Sequence, residues 1–223
     1  MIMITVTATV TIMQSEALLT LVQWLSPSYP VGAFAYSHGL EWAVHNGEVT
    51  DRASLAGWLE TVLRHGGGQS DALFLATAFE AEDATEVDDL ARAFAPSAER
   101  LRETLLQGEA FCRATQTIWG QQMPALCYPV AVGHAARLQS LPLALTLQLY
   151  LHAFVANIAA AGMRLIPLGQ TEGQGVIKDL ATSCIEVAEA AQEGALEDLS
   201  STAFLPDIAS MRHETQYSRM FRT

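Results

Sequence analysis

Charge is scarce in this chain, and what there is leans one way. Only 16% of the 223 residues are Asp, Glu, Lys or Arg, and 24 acids against 12 bases leave a formal net charge of −12. So acidic a balance argues against a nucleic-acid partner, which would need a basic face to neutralise phosphates. The chain would also be repelled by an anionic bilayer. Cysteine is sparse too. Cys112, Cys127 and Cys184 are widely spaced, with no CxxC pair. Three such residues make no disulfide framework, so a reducing cytoplasm is the expected compartment.

Short catalytic signatures are missing as well. GQTEGQGVIKD has glycines and a lysine but not the GxxxxGK[ST] spacing that wraps phosphates. There is no HExxH, GxSxG or GxGxxG, and local context assigns nucleophile, base and orienting acid around none of the 6 histidines. The acidic run Glu80 to Asp89 lacks the glycine turn and ligand order of a calcium loop, so it reads as a solvated connection. These absences lower the odds of an enzyme without excluding one, since a site can assemble from distant helices, and no cofactor is expected. Strand alternation is absent beyond MIMITVTATVTIM, an uncharged, β-branched opening without the basic start and cleavage site of a secretory signal. Met13 is followed at once by a helical pattern, so residues 1–13 read as a flexible extension outside the fold.

What the chain does have is apolar residues, half of the total, recurring at helical spacing. Ser15 caps a first helix whose inner face is expected to be Leu18, Leu19, Val22 and Leu25. Pro27 and Pro30 force an irregular segment, and a helix from about Ser37 to Asn46 follows, stopped by Gly47. The next starts at Thr50 or Asp51, buries Leu55, Trp58, Leu59 and Val62, and ends at the glycines 66–68. Helices over Asp71 to Glu80, Val87 to Phe94, Ser97 to Trp119 and Val130 to Leu138 follow. Leu138 to Met163 contains no charged residue and is long enough to cross a bilayer. Gln148, His152 and Asn157 spread around its circumference, so it reads as a central helix enclosed by others rather than a span. A last helix is predicted from about Gly175 to Ala191. The expected fold is all-α: a single-domain bundle of about ten helices over residues 14–205, with a flexible tail at 206–223.

Three stretches place hydrogen-bonding residues in apolar surroundings: YSHGLE at 36–41, GQTEGQ at 169–174 and RHETQYSR at 212–219. Such amides, hydroxyls, arginines and tyrosines suit directed contacts at a protein interface. The candidate partner-binding residues are Tyr36, Ser37, His38, Glu41, Gln170, Glu172, Gln174, Arg212, His213, Glu214, Gln216, Tyr217 and Arg219. In the middle stretch, simple capping of backbone groups competes evenly with an interface role. The tail is locally basic, with Arg212, Arg219 and Arg222, and carries Met211, Tyr217, Met220 and Phe221 as apolar anchors. That combination favours docking on a partner over free solvation.

His38, Glu41 and His45, at i, i+3 and i+7, would share one face of a helix and could hold a transition metal. A metal-dependent enzyme using these residues with His152 is one rival reading. A small-molecule module built around Leu149 to Met163 is another.

The three stretches together resemble one family. SPSYPVGAFAYSHGLEWAV, YLHAFVANIAAAGMRLIPLGQTEGQ and DIASMRHETQYSRMFR are similar, in order, to the signatures of the UreF family of urease accessory proteins. The likeness extends from about Gln14 to Thr223. Ala33 and Ala35 stand where the family often has glycine or serine, and residues 1–13 fall outside its pattern. The resemblance implies an all-helical, dimeric, non-enzymatic adapter without a bound metal of its own. Its implied partners are UreD (also called UreH), the nickel-carrying GTPase UreG and apo-urease, and its implied task is coupling GTP turnover to Ni²⁺ delivery. Within the shared motif, His38 and Glu41 belong to the pattern and His45 does not, which favours shape and docking over coordination for this stretch.

Overall fold

The computed structural model describes residues 14–223; the extension predicted for residues 1–13 lies outside them. The described chain forms helices and two short 3₁₀ turns, with no strand among the described residues. Helix α1 occupies residues 14–24. There follow α2 (Leu40–His45), α3 (Arg52–His65), α4 (Gly67–Glu80), α5 (Thr85–Phe94), α6 (Ala98–Trp119), α7 (Tyr128–Leu138), α8 (Leu143–Leu165), α9 (Gln170–Asp179), α10 (Ala181–Glu193) and α11 (Phe204–His213). The all-helical bundle expected from the sequence is what forms.

Local chemistry accounts for most boundaries. The Asp51 carboxylate accepts from the Ser54 amide at 2.9 Å and the Ser54 hydroxyl accepts from the Asp51 amide at 3.1 Å, a reciprocal cap that starts α3. Ser97 caps α6 by accepting from the Arg100 amide at 3.1 Å, and Gly120 ends that helix at φ 78°. Some boundaries differ from expectation. Only Gly66 breaks the chain between α3 and α4, while Gly67 and Gly68 enter the first turn of α4. The GQTEGQ segment is not a loop: Gln170 begins α9, and the Glu172 carboxylate accepts from the Gly169 amide at 3.1 Å. The long helix predicted from Gly175 divides at Leu180 into α9 and α10.

The core runs along α8. Leu147, Leu151, Val155 and Ile158 are buried against α3, α4, α7 and α10. By length and mean hydropathy (1.5) α8 could cross a membrane. In the fold its flanks are packed by neighbouring helices, leaving a partly open stripe at Leu145, Leu149, Ala153, Ala156 and Ala160. The enclosure is therefore on most sides rather than all. The tightest crossing is α4 on α7, where a Cβ on Gly133 would sit 2.2 Å from the Leu75 carbonyl oxygen. No side chain fits there.

Two expectations need correction. The face of α1 is turned: Leu21 and Trp24 are buried, with Trp24 edge-on to Phe111 at 5.3 Å and to Trp119 at 5.4 Å, whereas Leu18, Leu19 and Val22 are exposed. Both stripes have helical spacing, and the one that carries the indole gains the larger apolar burial and the two edge-on ring contacts. The tail is the second. Residues 204–213 form α11, and Phe221 and Thr223 are buried, so the segment after residue 205 is part of the folded body.

Candidate partner-docking surface

The stretch YSHGLE does not continue as a helix from Ser37. His38 (φ 54°) and Gly39 (φ 76°) are both left-handed, and this double turn delivers the chain into α2 at Leu40. The Ser37 hydroxyl takes the capping role, accepting from the Glu41 amide at 3.3 Å. Gly39 is required twice over, since a Cβ there would lie 2.7 Å from the Ser210 amide nitrogen. The small residues Ala209 and Ser210 let α11 cross α2 at this point, and Ser210 also hydrogen-bonds the α6 cap Ser97 at 2.7 Å.

That crossing sets His213, fully buried, above Glu41. His213 Nε2 lies 3.1 Å from Glu41 Oε2, and Nδ1 lies 2.6 Å from Glu99 Oε2 on α6. Arg219 donates to the other Glu99 oxygen at 2.6 Å. Glu41 in turn accepts the Met220 amide at 2.6 Å and the Phe221 amide at 2.8 Å. Glu214 accepts from the Ala98 amide at 2.8 Å, at the electropositive start of α6. The chain end continues inward: the Ser37 amide donates to the Thr223 carbonyl at 2.8 Å, and the Thr223 hydroxyl donates to Glu103 at 3.0 Å.

Glu103 belongs to a second polar cluster. It pairs with Arg100, lies 3.0 Å from His38 Nε2, and accepts from Gln107 at 2.9 Å. Arg100 also reaches His38 Nε2, at 3.0 Å, so one ring nitrogen serves both neighbours. Burial alone would push the Glu103 carboxyl up, but Arg100 and His38 more than offset it and hold it down at about 2. Burial, aided by Arg100, lowers the His38 imidazole, which favours its neutral form. Asp71 accepts from the Tyr150 hydroxyl at 2.9 Å, and burial pushes its carboxyl up to about 6 against the opposing pull of Arg100. The two cavities beside this cluster hold about 50 and 70 Å³. That is room for a few waters, far below the roughly 300–1,000 Å³ of a metabolite pocket.

The predicted site residues therefore divide. Tyr36, Ser37, Glu41 and His213 are buried and His38 nearly so, each engaged in contacts inside the chain. Arg212, Glu214, Tyr217 and Arg219 are exposed and Gln216 is half-buried. Gln170, Glu172 and Gln174 are exposed on α9, which packs on α8 and α3. The proposed metal triad does not assemble: His38 faces Glu103, Glu41 faces His213, and His45 and His152 are exposed. No group of three metal-ligating residues occurs among the described residues.

What sequence reading missed is the outer face of α11. Phe204 and Leu205 are 68% and 66% exposed, and Ile208 and Met211 continue the stripe along one face. Their i, i+1, i+4, i+7 spacing was the available signal. A groove beside it is lined by Trp42, His45, Ile208, Arg212 and Tyr217, with Tyr217 fully exposed at its edge. Exposed apolar side chains along one helix face make a candidate interaction surface.

The UreF family model matches residues 49–181. The chain belongs to the UreF family. It is 56% identical over 211 residues to the "Urease accessory protein UreF" of Ruegeria pomeroyi (strain ATCC 700808 / DSM 15171 / DSS-3), covering 93% of this chain and 97% of that one. The protein of the same description from Ruegeria sp. (strain TM1040) is 58% identical over 214 residues, covering 95% of this chain and all of its own length. That of Rhodopseudomonas palustris (strain BisB5) is 47% identical over 225 residues, covering 94% and 93%. As a UreF-family chain it is a urease accessory protein, and the α11 face and tail are its candidate docking surface.

Proposed function

We propose that this chain is a non-enzymatic adapter of urease maturation, working in the cytoplasm as a homodimer. It joins UreD (UreH) to the GTPase UreG and couples GTP turnover to delivery of Ni²⁺ into apo-urease. One observation carries the reading: exposed apolar residues Phe204, Leu205, Ile208 and Met211 line α11, and Ile208 shares a groove with Arg212 and the exposed Tyr217, on an otherwise acidic chain. Aromatic and arginine anchors around an apolar centre are the composition of binding hot spots. The tail and α11 would receive UreD, and another surface, with Gln170, Glu172 and Gln174 on α9 as candidates, would receive UreG. UreG supplies the phosphate-binding chemistry. By linkage, this chain shifts UreG between nucleotide states only as far as it binds one state better than the other.

The test is co-purification of the intact chain with UreD and UreG, followed by urease activation, for wild type, Phe204→Asp and Tyr217→Ala. Loss of UreD capture by either variant, with the helical signal unchanged, is the expected result. Undiminished capture by both would remove α11 and the tail as the docking surface. Normal urease activation without this chain would remove the adapter role altogether.

A further inference from the structure

We propose that Glu41 and His213 form a buried charged latch that fixes the shape of residues 214–222, with His213 held as the imidazolium. Both ring nitrogens lie within hydrogen-bond distance of a carboxylate oxygen, Glu41 at 3.1 Å and Glu99 at 2.6 Å. Ionised carboxylates only accept, and imidazole donates from both nitrogens only when it carries two protons. Arg219 pairs with Glu99 alone, so the His213 ring is the one side chain that bridges the Glu41 and Glu99 carboxylates.

Glu41 is the centre of the latch. One oxygen accepts the Met220 amide, and the other accepts both the Phe221 amide and His213. Three donors from two parts of the tail thus converge on one carboxylate of α2. The loop between them, carrying Tyr217 and Met220 outward, is held at both ends. Glu41 and His213 are positioning residues: neither contacts a partner, and both decide where Tyr217 stands. The consequence for docking rests on the adapter reading above; the latch itself does not.

Two measurements on the full-length chain separate these. Nitrogen-15 NMR of His213 should show both ring nitrogens protonated, and a spectrum with one bare nitrogen would overturn the imidazolium. In Glu41→Gln the amide group cannot accept from all three donors, so exchange of the Met220 and Phe221 amides should quicken roughly tenfold or more relative to α8 amides, the loss of one charge-assisted hydrogen bond. Unchanged protection of both amides in the folded variant would overturn the latch. Should the variant fail to fold, the wild-type ring spectrum still decides. UreD capture should weaken in Glu41→Gln as in Tyr217→Ala. If neither substitution affects capture while the amides still loosen, the docking reading fails and the latch stands.

Discussion

Asp71 and Glu103 flank Arg100 and titrate in opposite directions. Burial raises the Asp71 carboxyl to about 6, so the folded chain keeps a proton that the unfolded chain has released. Its contribution therefore erodes stability as pH rises from about 4 through 6. Glu103, held at about 2, stabilises the fold above its unfolded value of 4.5, and that benefit is lost as pH falls from there toward 2. Asp71→Asn keeps an acceptor for the Tyr150 hydroxyl and removes the raised carboxyl. The variant should match wild type near pH 4 and exceed it by about 1–3 kcal/mol above pH 7. Urea unfolding at several pH values checks this, and a difference independent of pH would mean that Asp71 ionises freely. Arg100 and Glu103 escaped sequence reading because an i, i+3 pair on a polar-looking helix gives no sign that it lies inside.

At the scale of elements, α1 shows how a helix with two apolar stripes is oriented by its neighbours. Leu21 is sealed and Leu19 is 67% exposed, although the two are equally apolar. Leu21→Ala should cost about 2–5 kcal/mol, and Leu19→Ala no more than about 0.5 kcal/mol. Equal losses in chemical denaturation would show that the outer stripe is covered in solution by something else. The helices α3 and α6 were readable from Asp51 and Ser97, because caps act over three residues. The division of α9 from α10 was not, since Leu180 carries no breaker signal. α11 was partly legible: its polar end drew notice, while Phe204 and Leu205 were not singled out.

For the whole molecule, the tail is the last piece of the core as well as the rim of a surface. Phe221 is buried with the Arg164 guanidinium 4.3 Å over its ring, and the Arg222 amide donates to the Ala35 carbonyl at 2.8 Å. Removing residues 214–223 would strand Glu41 and Glu103 without those partners and open the floor beneath Ser37. The truncated chain should melt several degrees below wild type, about 2–4 °C for each kcal/mol lost. An unchanged melting temperature would mean the tail adds nothing to the fold. Because truncation disturbs the body, a partner lost on truncation says little about contact, and surface substitutions at Phe204 and Tyr217 are the cleaner probe.

The sequence by itself determined the helical class, the capped and proline-bounded elements, the shortage of positive charge, and, through three ordered motifs, the family. These are properties of neighbours along the chain, where spacing and propensity act. Only the tertiary structure decided that Ser37, Glu41 and His213 point inward while Phe204, Leu205 and Tyr217 point out. Glu41 meets residues 213, 220 and 221 only after α11 crosses α2 at Gly39, and the burial of a polar side chain depends on partners that far away in sequence.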